Sequence, residues 1–195
     1  MSIDASILLW INGHHTEWLD SFMWYISMPR TWLPLYAILL GVVIWRFRNW
    51  KTVLLIILAF AVAVGLSDYI SSGILKPLVC RLRPTHEPTL AGMVHLVRGY
   101  TGGLYGFCSS HASDTMACAM LFSLILRNKY ATAGLMTWVA FNCYSRMYLG
   151  VHYPTDILAG LLIGALMAVL AFFAIRRWVV CSPHVDDEAA RQGGS

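Results

Sequence analysis

The chain has 195 residues, of which 58% are hydrophobic and 12% charged, and its mean hydropathy is +0.62. That balance excludes a disordered chain and, with the long apolar runs below, favours an integral membrane protein over a soluble one. The formal net charge of +4 is small, so no nucleic-acid partner is implied and the placing of the charges matters more than their sum.

Residues 1–28 hold two short apolar pieces, Ile3 to Ile11 and Trp18 to Met28, separated by Asn-Gly-His-His-Thr-Glu. Each is too short to cross a hydrocarbon core of about 30 Å. Trp10, Trp18, Trp24 and Tyr25 are amphipathic aromatics suited to the headgroup level. The reading is an interfacial helix followed by a short or tilted half-buried one, with a sixth span as the alternative. No basic region precedes the first apolar run, and Asp4 stands there instead, so no cleavable signal peptide is expected.

Five stronger spans are expected at roughly 31–47, 51–75, 110–127, 131–149 and 154–178. The fold class is therefore all-α: an integral membrane helical bundle of five transmembrane helices plus the N-terminal segment. Residues 1–180 form one domain, and 181–195 form a polar tail. Gly160 and Gly164 make a small-xxx-small pair, which permits close helix contact. Five cysteines show neither a paired metal spacing nor a disulfide framework.

Arg46, Arg48 and Lys51 lie between the first two strong spans, Arg127 and Lys129 between the third and fourth, and Arg176 and Arg177 close the fifth. Alternation puts these places on one side, and the positive-inside rule makes that side cytoplasmic. Segments 76–109 and 145–153 then share the outer face. The expected location is a bacterial cytoplasmic membrane, multi-pass, with a cytoplasmic C-terminus.

Three segments on that face carry chemistry. Segment 76–84 puts Lys76, Arg81 and Arg83 within eight residues, stiffened by Pro77 and Pro84. A basic cluster touching anionic headgroups would look the same. Segment 108–111 supplies Ser109 as a candidate N-cap, and the amides after it can bind phosphate. His111, in the first turn, can donate a proton. Segment 145–156 places Arg146, His152 and Asp156 between two apolar runs, where stranded polar groups call for a reason. Pro154 fits the first turn of the last helix, and Asp156 can hold the His152 imidazole in one tautomer. Lys76, Arg83 and Arg146 can surround a phosphate dianion. Those cations oppose a divalent metal at His152 and Asp156, so no metal and no cofactor are expected.

These segments resemble the signature of the type 2 phosphatidic acid phosphatase superfamily, which includes lipid phosphate phosphatases and vanadium haloperoxidases. Lys76-x6-Arg83-Pro84 and Ser145-Arg146-x5-His152-x3-Asp156 match in full. In the middle element Cys108 replaces a proline and Ser110 a glycine, while Ser109 and His111 remain. The resemblance implies a metal-independent membrane phosphatase. His152 would be the nucleophile, Asp156 its partner and His111 the general acid; Lys76, Arg83, Ser109, Ser110 and Arg146 would bind phosphate. The expected partner is a phosphorylated lipid in the bilayer, with undecaprenyl diphosphate first among substrates. Phosphatidylglycerol phosphate, phosphatidic acid and lipid A 1-phosphate are alternatives. A lipid-to-lipid phosphotransferase and a catalytically idle lipid-binding protein are the other readings. Asp68 is read as structural and Asp114 as capping its helix; His86, His95 and Arg98 are read as a solvated loop. No oligomeric state follows.

Overall fold

In the computed structural model, residues 1–180 are described; the polar tail expected at 181–195 lies outside the described residues. The helices are α1 (Ile3–Gly13), α2 (Glu17–Ser27), α3 (Leu33–Arg46), α4 (Trp50–Asp68), α5 (Lys76–Val79), α6 (Ser110–Leu126), α7 (Lys129–Tyr148) and α8 (Pro154–Val180). A π-helical stretch, Tyr69–Leu75, joins α4 to α5 in one continuous rod. The described chain is all-helical apart from loops and one isolated bridge, Leu82 to Tyr105.

Helices stand where the five spans were expected. By length and composition, two qualify as crossings: the rod from Trp50 to Val79, and α8. A third qualifies if α2 and α3, bent by 69° at Pro29, count as one broken span. α6 is apolar but only 17 residues long, and α7 carries more polar side chains.

Local chemistry sets the helix ends. Asn128 accepts from the amides of Tyr130 and Ala131 and starts α7; Ser109 accepts from Ala112 and starts α6. Pro154 opens α8 without needing an amide proton. The core lies where α6 packs along α8, with α4 and α7 alongside, around Leu121, Phe122, Ile125, Val139 and Phe172.

Gly160 and Gly164 create that α6–α8 contact. A Cβ on Gly160 would meet the Ser109 carbonyl oxygen at 2.5 Å, and one on Gly164 the Ser113 carbonyl oxygen at 2.1 Å. Only glycine lets the backbones approach this closely, and the glycines face protein rather than lipid.

α1 and α2 cover the end of the bundle where segments 76–109 and 145–156 lie. Asn12 clamps them down: its amide nitrogen donates to the carbonyls of His95 (3.0 Å) and Tyr148 (2.7 Å), and its oxygen accepts from the His95 amide (2.7 Å). Ile11, Met23, Ile26, Val97, Tyr148 and Val151 form a second apolar cluster beneath.

Three sequence expectations change. His95 is not simply solvated: it pairs with Asp20 at 2.8 Å and stacks on His15 at 3.6 Å. Arg98 lies over the rings of Trp24 and Tyr25. Asp114 caps nothing, because Ser109 already caps α6; it lines an apolar cavity between α3, α4 and α6.

Candidate active site

The three segments meet at one end of the bundle, and the backbone itself joins two of them. The Ser109 amide donates to the Asp156 carbonyl at 3.0 Å, locking the start of α6 to the start of α8. The first segment is held by an antiparallel pairing: Arg83 N donates to Leu104 O (3.0 Å) and Gly106 N to Arg81 O (2.8 Å).

His152 and Asp156 are the most enclosed pair, 1% and 0% exposed. His152 Nδ1 faces Asp156 Oδ2 at 3.7 Å, an ion-pair distance longer than a hydrogen bond. The carboxylate is already held, accepting from the Tyr153 amide at 3.0 Å and from Arg81 Nη1 at 2.8 Å. Burial pushes His152 well below the usual imidazole range, and the charges of Arg146, Arg83, Lys76 and His111 push the same way. His152 is therefore neutral near pH 7, with its lone pair available.

Three cations surround it. Lys76 Nζ donates to Ser110 Oγ (2.7 Å) and Ser72 Oγ (3.1 Å), and Ser72 in turn donates to Asp68 (3.1 Å). Asp68 thus supports Lys76 through Ser72, which the π-helical turn presents. Arg83 Nε donates to the Tyr105 carbonyl at 3.1 Å. Arg146, 4% exposed, is hydrogen-bonded to Ser27 Oγ and reaches Tyr100 OH at 3.4 Å. Among the described residues, the buried side-chain atoms without a hydrogen-bond partner include Arg83 Nη1, Arg146 Nε and His152 Nδ1. Two guanidinium donors left over beside a neutral imidazole suit a tetrahedral oxyanion.

His111 projects from the first turn of α6 against the Ser27 carbonyl. It lines a cavity of about 260 Å³ together with Trp24, Ser27, Tyr100, Arg146 and Leu149. Ser109 is fully buried as the cap, so this helix end offers an anion the amides of Ser110 and His111.

Several contributors carried no signal in the linear chain. Tyr100 is one: burial raises its hydroxyl pKa, but Arg146 and Arg83 outweigh burial and hold it below the usual value. Gly102, at φ +67°, is another, since a Cβ there would sit 2.3 Å from Arg83 Nη1. Asp4 and Arg81 complete the set. Arg81 bridges Asp156 and Asp4 (Nη2 to Oδ2, 2.5 Å) and stacks on Tyr153; Asp4 also accepts from the Thr155 amide at 3.1 Å. Arg81 was legible as a cation, but its partners are 75 and 77 residues away. Among the described residues, no group of three or more His, Cys, Asp or Glu side chains is arranged to hold a metal ion.

Known proteins resemble this chain in sequence and fold. The PAP2 superfamily model matches residues 50–179. A lipid A 4'-phosphatase of Bacteroides thetaiotaomicron is 36% identical over 172 residues, covering 88% of this chain and 76% of that protein. A lipid A 4'-phosphatase of Porphyromonas gingivalis is 33% identical, covering 100% of this chain and 84% of that protein. The undecaprenyl-diphosphatase BcrC of Bacillus subtilis is 26% identical, covering 82% and 77%. The crystal structure of Aquifex aeolicus LpxE shares the fold at a TM-score of 0.65 and 22% identity, covering 88% of this chain and 96% of that one. A phosphatidylglycerolphosphate phosphatase from Bacillus subtilis does so at 0.66 and 22%, covering 89% and 85%. The chain belongs to the PAP2 superfamily, as a membrane-embedded lipid phosphatase of all-helical fold.

Proposed function

We propose that this phosphatase removes a phosphate from lipid A through a phosphohistidine, with His152 as nucleophile. The observation that carries the chemistry is the convergence of Lys76, Arg83 and Arg146 on a neutral His152 backed by Asp156. The two relatives that exceed 30% identity over more than four-fifths of the chain, both lipid A 4'-phosphatases, favour lipid A and its 4'-phosphate.

Because Nδ1 faces Asp156, attack comes from Nε2. Its lone pair bonds to phosphorus as the bond from phosphorus to the lipid oxygen breaks, and His111 gives its proton to that oxygen. Lys76, Arg83, Arg146 and the amides of Ser110 and His111 at the start of α6 hold the charge that builds on the phosphoryl oxygens. Water then attacks phosphorus, the P–N bond breaks with its electron pair returning to His152, and His111 takes the water proton. Asp156 keeps the imidazole oriented and offsets its positive charge while the P–N bond exists.

The site faces the periplasm or cell exterior. In support, Lys51, Arg127, Lys129 and Arg176 lie at the far ends of α4, α6, α7 and α8, the helices that lead to the site. Undecaprenyl diphosphate, the expectation from sequence, stands as a second reading supported by BcrC at 26% identity.

Phosphate release by purified enzyme from lipid A, undecaprenyl diphosphate, phosphatidylglycerol phosphate and phosphatidic acid, with chelator present, decides between them. Lipid A should be turned over fastest, and His152→Ala should be inactive with an unchanged melting profile. Preference for another lipid overturns the substrate. A fully active His152→Ala overturns the mechanism, and strict dependence on a divalent ion overturns its metal-free form.

A further inference from the structure

The cavity beside Arg146 has a lining of which the phosphate chemistry uses only His111 and Arg146. It is bounded by Trp24, Ser27, Met28, Pro29, Tyr100, His111, Arg146 and Leu149. His111 is in the wall and His152 is not. In-line displacement puts the nucleophile and the leaving oxygen on opposite sides of phosphorus. A cavity walled by the acid and one phosphate ligand, but not by the nucleophile, lies on the leaving-group side.

Its walls have a specific chemistry. Trp24 and Tyr100 meet edge to face with centroids 5.4 Å apart, and Arg98 lies 5.4 Å from the Trp24 ring. The indole is thus fixed from two directions. Trp24 Nε1 is buried and has no partner among the described residues. Tyr100 OH is tied to Arg146, so the aromatic wall and the phosphate ligands form one rigid unit. Apolar faces with a few fixed donors are how pockets orient a small ligand that is itself part apolar and part hydroxylated. A pyranose is such a ligand: its C–H faces lie on aromatic rings while its hydroxyl and amide groups take hydrogen bonds. The volume of about 260 Å³ is below the ~300–1,000 Å³ of drug-sized sites, which suits one ring rather than a disaccharide.

We infer that this cavity is a saccharide subsite: it holds the sugar ring whose oxygen leaves as His152 takes the phosphoryl group, with Trp24 and Tyr100 as its walls. The inference rests on the reading of His111 as the acid on the leaving side. It explains how the same phosphate ligands can favour a phosphate borne directly on a hexosamine over one borne on glycerol or a polyprenol, where no ring meets the aromatic wall.

The test is competitive inhibition of the purified full-length enzyme, assayed on whichever of the four lipids it hydrolyses. Glucosamine 4-phosphate should inhibit wild type roughly tenfold more strongly than inorganic phosphate, the margin of a well-fitted small group in a pocket. In Trp24→Leu that margin should vanish while inhibition by inorganic phosphate stays the same. Trp24→Phe keeps the ring but loses the N–H and should retain part of the margin. If Trp24→Leu weakens both inhibitors together through damage to packing, Trp24→Phe decides alone. Equal inhibition of wild type by the two compounds, or a margin untouched in both variants, overturns the subsite. Because the assay needs only some hydrolysed lipid, failure of lipid A as a substrate is read separately. An inactive wild type on all four lipids would overturn the parent reading itself.

Discussion

At the scale of single residues, the proposed chemistry rests on a histidine that burial keeps neutral beside three cations and one carboxylate. His152 is depressed by burial and by three cations, so between its folded pKa and about 6.5 the unfolded chain binds a proton that the folded chain does not. Stability therefore rises with pH through that window and is lost as pH falls below about 6.5. Thermal melts in detergent at pH 7.5 and pH 5 should show the drop, and His152→Gln should flatten it. An equal drop in both proteins would assign the effect to another group. Gly102→Ala brings two penalties at once: a positive φ and a Cβ 2.3 Å from Arg83 Nη1. Its expected result is at least a roughly tenfold loss of kcat/KM with weaker inhibition by inorganic phosphate, since one positioned donor is worth that much. Wild-type kinetics in Gly102→Ala would show that Arg83 need not be held there.

At the scale of elements, α1 is more than a membrane-surface helix. Through Asp4 it caps the first turn of α8 and holds Arg81 against Asp156. Arg81→Met should lower kcat by roughly tenfold or more with little change in KM, as when a nucleophile's orienting group is disturbed. In an Asp156→Asn background the same change should add little, because both act through one carboxylate. Additive losses in the double variant would give Arg81 a separate role. The α6–α8 contact is the other decisive element. Gly164→Leu places a side chain where the Ser113 carbonyl oxygen already lies 2.1 Å from a Cβ, so the helices must separate. Loss of folded protein in detergent is the expected outcome, whereas Ala168, also buried but without that approach, should tolerate Gly.

At the scale of the whole molecule, topology gathers the ends of α5, α6, α7 and α8 beneath α1 and α2 at the candidate site, and sidedness is the property to measure. Cys80 is exposed at that end, so a membrane-impermeant maleimide should label it from outside in spheroplasts carrying Cys181→Ser. Labelling of Cys80 only after permeabilisation would invert the proposed orientation. The sequence by itself determined the helical class, the positions of the five main helices and the eight motif residues, because hydrophobic runs, caps and fixed spacings are local properties written in consecutive residues. It also carried the glycine pair, though not which face that pair would take. Only the tertiary structure decided that Tyr100 and Ser27 brace Arg146, and that Asp4 and Arg81 stand behind Asp156. The physical reason is range. Each of those contacts joins side chains brought together by packing between distant segments, which leaves no periodic trace in the chain. The aromatic cavity at Trp24 belongs to the same class, built from α2, the long loop and the ends of α6 and α7.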